Sequence, residues 1–159
     1  MSRLRIGFGF DVHQLQEGLN LCLGGIIIPH TKGSLGHSDG DVLIHAICDA
    51  ILGAANLGDI GKHFPDQDKQ YKGIDSKILL ARVVDIIFDK GYKICNIDST
   101  ICLQRPKISK YTNKMQQVIA DCMNLEMDQI SIKATTTEKL SFVGREEGVS
   151  AYATILLER

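Results

Sequence analysis

The chain has 159 residues, 44% of them apolar and 23% charged, with a formal net charge of −1. That length fits one domain, residues 1–159, with a sizeable core, and the composition is that of a soluble globular protein. No apolar run approaches the ~20 residues that cross a bilayer, and a nearly neutral chain is poorly suited to capturing long nucleic acid, so neither membrane nor nucleic acid is an expected partner. MSRLRIGFGF lacks the charged-then-apolar pattern of a secretory signal, and Cys22, Cys48, Cys95, Cys102 and Cys122 form an odd set without a C-x-x-C pair. A cytoplasmic location with reduced core thiols is therefore expected.

In chain order, Arg3 to His13 reads as a first strand, and QEGLN turns into a short hairpin of Leu21–Leu23 and Ile26–Ile28 hinged at Gly24-Gly25. A helix is predicted from Asp39 or Asp41 to about Ala55, its apolar face carrying Leu43, Ile47 and Ile51, with Gly58 and Gly61 breaking it. A second helix runs from Asp75 to Lys90, with Asp75 as N-cap and Gly91 just past the end. Residues 93–103 alternate as a strand with Ile97, Ser99, Ile101 and Leu103 on one face. A third helix follows a Ser109 cap, with Tyr111, Met115, Val118, Ile119 and Cys122 at helical spacing. Two strands close the chain, one with Ile130, Ile132 and Ala134 on a common face, the other with Val149, Ala151, Ala153, Ile155 and Leu157. The expected fold class is α+β, a mixed β-sheet with three helices packed on one face.

Three stretches carry chemistry. Asp11 and His13 stand at i and i+2 of a strand and so point to the same side. Asp41, His45 and Asp49, at i, i+4 and i+8, draw a polar stripe on an otherwise apolar helix. If that helix crosses the strand end, His45 completes a set of two nitrogens and one oxygen, which suits zinc with a fourth position left for a substrate oxygen. Asp49 is then placed as the acceptor that fixes an imidazole tautomer. His37 is a competing ligand, but its glycine-rich setting fits a mobile, substrate-touching donor better. The strand ISIKATTTEK ends in Thr135, Thr136 and Thr137, whose hydroxyls and turn N–H groups form a phosphate cradle, and Glu138 offers a carboxylate to magnesium or manganese. LGDIGKHFPDQD gathers Asp59, Lys62, His63, Asp66 and Asp68 into a loop of the kind that closes over ligands, and LQRPKI sets Pro106 and Lys107 where a rigid turn frames a base or sugar.

With DVH, HSDGD, H-x-x-x-D, GDIGKHFPD, QRPK, KATTTEKL and FVGREEG in that order, the sequence resembles the 2-C-methyl-D-erythritol 2,4-cyclodiphosphate synthase family of non-mevalonate isoprenoid biosynthesis over nearly its whole length. The resemblance implies a homotrimer with active sites between subunits and zinc held by Asp11, His13 and His45. It further implies a magnesium or manganese ion on the diphosphate with help from Glu138, and a cytidine pocket made of Leu103, Pro106, Lys107, Ile108, Ser109, Thr135 and Thr136. Asp59, Ile60 and Gly61 of the adjacent subunit would reach the ribose, while His37, Ser38, Phe64, Asp66 and Asp68 would cover the methylerythritol phosphate. His37 and Thr136 match positions credited with stabilising the transition state. Phe10, Phe142, Arg145 and Glu147 resemble positions near the trimer axis, where an isoprenoid diphosphate could bind.

The implied reaction closes 4-diphosphocytidyl-2-C-methyl-D-erythritol 2-phosphate into a cyclic diphosphate with release of CMP. Phe8 departs from the more usual polar residue, as does the ISK turn after Lys107. A fused cytidylyltransferase, as in bifunctional relatives, has no room in this length, so cyclisation alone is expected. Two rival readings use the same residues: a metal-dependent phosphohydrolase that activates water, and a nucleotide-binding module with a structural zinc, which would need a fourth protein ligand.

Overall fold

The structure, a computed structural model, describes residues 3–65 and 67–159. β1 (Leu4–Glu17) leads into the hairpin strands β2 (Leu21–Leu23) and β3 (Ile26–Ile28), then β4 (Lys32–Leu35). α1 (Val42–Ala54), the one-turn α2 (Ile60–His63) and α3 (Ser76–Asp89) follow. β5 (Lys93–Cys102), α4 (Thr112–Met123), β6 (Ile130–Thr135), the one-turn α5 (Ser141–Gly144) and β7 (Gly148–Glu158) complete the chain. Five strands form one mixed sheet in the order β4-β1-β7-β5-β6, with only the β5/β6 pair parallel, and β2/β3 stand apart as a ribbon.

Local chemistry accounts for most boundaries. Gly24 (φ +59°) and Gly25 (φ +77°) supply the left-handed conformations that a two-residue hairpin turn requires. Asp75 caps α3 by accepting from Lys77 N at 2.9 Å, and Gly91 ends it with φ +77°. Two expectations need correction. β1 runs past His13 because Gln14 to Glu17 pair with Leu35 to Lys32 of β4, a strand whose KGSL sequence carries no apolar alternation. Ser109 does not cap α4: residues 109–111 form a 3-10 turn, Thr112 Oγ1 donates to Ser109 O, and the helix starts without a side-chain cap. On β6 Ile130, Ile132 and Ala134 share one face as expected, grading from buried through half-buried to exposed as this edge strand runs out from under the helices.

Cross-strand partners share a face, so Gly7, Ile155, Ile97 and Ile130 lie in one row and Gly9, Ala153, Ser99 and Ile132 in the next. α1 lies over β1 and β7 on this face, α4 over β6, and α3 packs on α1 and α4. Leu43, Ile47, Ile51, Leu80, Val83 and Met115 fill the core between them. The opposite face presents Leu4, Ile6, Phe8, Phe10, Val12 and Tyr152, with Ile6 74% and Phe8 65% exposed. All five cysteines are free, Cys22 and Cys48 in the core and the other three half-buried. Among the described residues no helix is long and apolar enough to cross a membrane.

A candidate metal centre and a separate threonine loop

Glycine positions the centre. A Cβ on Gly7 would stand 1.9 Å from Ala50 O and one on Gly9 1.9 Å from Ala46 O, so α1 rests directly on the β1 backbone. Two strand residues advance about 6.8 Å and four helix residues about 6 Å, so the next step along this antiparallel contact brings Asp11 to the turn carrying His45. The three donors meet there: Asp11 Oδ2 lies 3.1 Å from His13 Nε2 and 3.0 Å from His45 Nδ1, and the two imidazole nitrogens are 3.1 Å apart. Ligands about 2.0–2.1 Å from a tetrahedral zinc are separated by about 3.3 Å, so the spacing and the donor set fit one such ion. Among the described residues this is the group placed to hold a metal.

His45 is fixed from behind by Ser38 and by Ser76, the second of which carried no sequence signal. Its Nε2 lies 2.9 Å from Ser76 Oγ and 3.1 Å from Ser38 Oγ. Ser76 Oγ donates its single proton to Asp39 Oδ1, and Asp39 Oδ2 accepts from Ser76 N at 3.0 Å. The hydroxyl must therefore accept from Nε2–H, so that in the neutral imidazole Nδ1 is the electron-pair donor facing Asp11 and His13, while the protonated ring donates from Nδ1 to Asp11. Asp49, expected in that orienting role, instead accepts from Ile60 N at 2.8 Å and pins the start of α2. Asp41, the third member of the stripe, is fully buried and structural, accepting from Gly24 N, Gly25 N and Ile44 N to join the hairpin to the α1 N-terminus.

Charge is arranged to match. Burial pushes the Asp11 carboxyl up, but hydrogen bonds from His13 and His45 outweigh it and hold the group well below the usual carboxylate range. Burial pushes His45 down, and the facing Asp11 carboxylate more than restores it, raising the imidazole above its ordinary value. Asp49 is raised, by burial first and then by the Asp59 and Asp11 charges.

A cavity of about 210 Å³ opens on the centre and brings together Asp11, His13, His37, Ser38, His45, Asp49, Ile60, Gly61 and Phe64 from the sequence-derived set. Tyr71 joins them, edge-on to Phe64 with ring centroids 5.4 Å apart; it carried no sequence signal. Asp59 caps α2 through Lys62 N at 2.9 Å, Asp68 caps the 3-10 turn at 69–71 through Gln70 N at 3.1 Å, and Asp66 lies outside the described residues.

The remaining residues form a second patch. Leu103 N donates to Thr135 O and Lys139 N to Gln104 Oε1, so the 103–109 segment and the threonine loop are neighbours. Leu103 and Ile108 are buried supports, while Pro106, Lys107 and Ser109 line a shallow hollow with Tyr111. Glu138 and Lys139 adopt positive φ (51° and 65°), which turns the Glu138 carboxylate back to accept from Thr136 Oγ1 at 3.1 Å. Val12, Ser150, Cys102 and Thr135 are in register across β1, β7, β5 and β6. Three strand spacings amount to about 14 Å, so one chain does not bring the threonine loop into the metal cavity. Phe142 lies against Gly148, and Arg145 forms a two-point ion pair with Glu147 at 3.0 and 2.9 Å.

Residues 4–158 match the YgbB family. A 2-C-methyl-D-erythritol 2,4-cyclodiphosphate synthase of Bacteroides fragilis is 64% identical over 157 residues, 99% of this chain and of that one. Among solved structures, the bifunctional IspDF of Campylobacter jejuni has a TM-score of 0.96 at 43% identity over 99% of this chain, which spans 43% of that longer protein. IspF of Plasmodium falciparum, solved as a CDP complex, has a TM-score of 0.85 at 38% identity over 97% of this chain and 95% of that one.

Proposed function

The chain belongs to the YgbB family, and on that premise we propose that it converts 4-diphosphocytidyl-2-C-methyl-D-erythritol 2-phosphate to 2-C-methyl-D-erythritol 2,4-cyclodiphosphate and CMP, as a lyase of non-mevalonate isoprenoid synthesis. The observation that carries the reading is the convergence of Asp11, His13 and His45 within 3.1 Å at the mouth of a cavity too small for macromolecules. In the reaction a 2-phosphate oxygen bonds to the β-phosphorus as the bond from that phosphorus to the bridging oxygen breaks, and CMP departs with the bridging oxygen. No protein nucleophile is required.

Asp11, His13 and His45 would hold Zn2+, and Glu138 would help hold Mg2+ or Mn2+. When bound, such ions supply a Lewis acid that offsets the repulsion between the two phosphate groups and the charge growing on the leaving oxygen. The chain's own side chains do the positioning. His37 and Ser38 face the cavity beside the centre and would hold the 2-phosphate in line. Phe64, with the loop to Asp68, would exclude water, and Asp49 would keep a polar contact at the cavity wall. Ile60 and Gly61 line that wall, and with Asp59 they would meet the ribose. Leu103, Pro106, Lys107, Ile108, Ser109 and Thr135 would frame the cytidine diphosphate moiety, with Thr136 donating to the departing phosphate.

The separation of about 14 Å between the two patches supports a homotrimer in which neighbouring subunits complete each site. The exposed Ile6, Phe8, Phe10 and Tyr152 supply the apolar surface that such an assembly buries. Phe142 and Arg145 would then lie towards the axis, where an isoprenoid diphosphate could compete with Glu147 for the guanidinium. A direct test measures CMP release from the diphosphocytidyl substrate with and without a chelator and identifies the second product. A linear phosphate would indicate hydrolysis and overturn ring closure, and undiminished turnover in fully zinc-free protein would remove the metal role.

A further inference from the structure

At the end of β1 remote from the metal centre, three arginines surround one buried aromatic ring. The guanidinium carbons of Arg5 and Arg159 lie 5.9 and 5.4 Å from the Tyr92 ring centroid. Arg3 is held beside them by paired backbone bonds, Arg3 N to Arg159 O at 2.9 Å and Arg159 N to Arg3 O at 3.1 Å. Together Arg3, Arg5, Tyr92 and Arg159 line a cavity of about 360 Å³. Arg5 has a structural duty, its Nε donating to Ala54 O at 2.6 Å at the end of α1, but its terminal nitrogens are left over. Among the described residues no Asp or Glu side chain stands within ion-pair distance of any of the three. Even with the α-carboxylate of Arg159 counted, three guanidiniums gathered in one cavity leave an excess of positive charge that favours an anion there.

We propose that Arg3, Arg5 and Arg159 form a second anion-binding site, for a small phosphate or diphosphate group. It lies about 20 Å along the strand from Asp11, six residues at about 3.4 Å each. The recognition chemistry is the paired N–H fork of guanidinium, which matches two oxygens of a phosphate at once where a lysine would offer a point charge. The Tyr92 ring lies within cation–π distance of two of the guanidiniums, which favours their gathering before a ligand arrives. The site is independent of the catalytic reading, since none of its residues contacts the metal cavity.

The test titrates the full-length, zinc-loaded protein with inorganic phosphate, inorganic diphosphate and CDP in turn, following the backbone amide resonances of Gly91, Tyr92 and Arg159. Saturable shifts at these amides are expected, tighter for diphosphate than for phosphate. CDP acting like diphosphate here would identify a nucleotide as an admissible source, and CDP acting only at the metal cavity would restrict the ligand to the free anion. The double variant Arg3→Gln/Arg159→Gln should bind about tenfold or more weakly, the loss expected for removing charged hydrogen bonds, with CMP release unchanged. Arg5 is kept so that α1 retains its end contact, and the single variant Arg159→Gln serves if the double variant melts early. Shifts that do not saturate, or an affinity the variants leave unchanged, would overturn the site.

Discussion

His45 meets Asp11, His13, Ser38 and Ser76 within 3.1 Å and is largely buried, whereas Thr136 and Glu138, about 14 Å across the sheet, stand exposed and bond chiefly to each other. The metal half is thus organised by one chain: backbone contact through Gly7 and Gly9 sets the distance, and Asp39 and Ser76 set the imidazole's direction. The threonine half presents donors and a carboxylate that water still screens, and excluding that water would strengthen them. Burial decides which half is held rigid beforehand and which stays open to solvent.

The contrast can be broken most forcefully at its buried end. His45→Ala should abolish zinc retention and lower CMP release by at least about 10²–10³-fold, the range for losing a principal charge-stabilising group, read by metal analysis and steady-state assay together. If the threonine half acts on substrate and not on the zinc, Glu138→Gln should reduce turnover by about 10–100-fold while zinc affinity stays at the parental value; a parallel loss of zinc would join the two halves into one unit. Ser76→Ala leaves every zinc ligand in place and removes only the Nε2 acceptor, so zinc affinity should fall about 10–100-fold with most turnover recovered at saturating zinc. Phe8→Asp, on the exposed sheet face, should shift the assembly towards monomer in sedimentation experiments and reduce CMP release as the subunits part, without moving zinc affinity.

The smallest effect, and the finest discriminator, is on pH. In metal-free protein the Asp11 carboxyl is held below its ordinary 3.8, so its contribution to folding is present above that value and is lost as pH falls through the lower folded pKa. His45 is raised above 6.5, so its contribution is complete below that pH and disappears as pH climbs through the raised pKa. Zinc needs the neutral imidazole, and its affinity should therefore move the other way, rising about tenfold per pH unit for each proton displaced. Thermal melts across pH 6 to 9 with and without zinc should slope in opposite directions. Melts that slope alike would mean that His45 is already neutral and that its ion pair with Asp11 carries no weight.

Much of this site was legible before folding was considered, because its signals are periodic. The i, i+2 parity of a strand placed Asp11 beside His13, and the i, i+4 stripe of a helix offered His45. The same stripe misled for Asp49: periodicity says which side of a helix a residue occupies, and not which of several neighbours it will meet on that side. Asp49 found Ile60 N, while Asp41, the expected cap, also holds the hairpin turn. Ser76 had no signal at all, since its partners are His45 and Asp39, 31 and 37 residues away.

Local sequence determined the hairpin at Gly24-Gly25, the caps at Asp41 and Asp75, the inward face of β7 and the pairing of Asp11 with His13 on one side of β1, since each depends on residues within a few positions of one another. Tertiary structure alone decided how closely α1 approaches β1, which hydroxyl orients His45, that the threonine loop lies about 14 Å from the metal cavity, and that Arg3, Arg5 and Arg159 gather on Tyr92. These are distances between segments remote in the chain. They follow from how the sheet orders its strands and how tightly glycine lets a helix settle on them, and neither is written in the spacing of any one element.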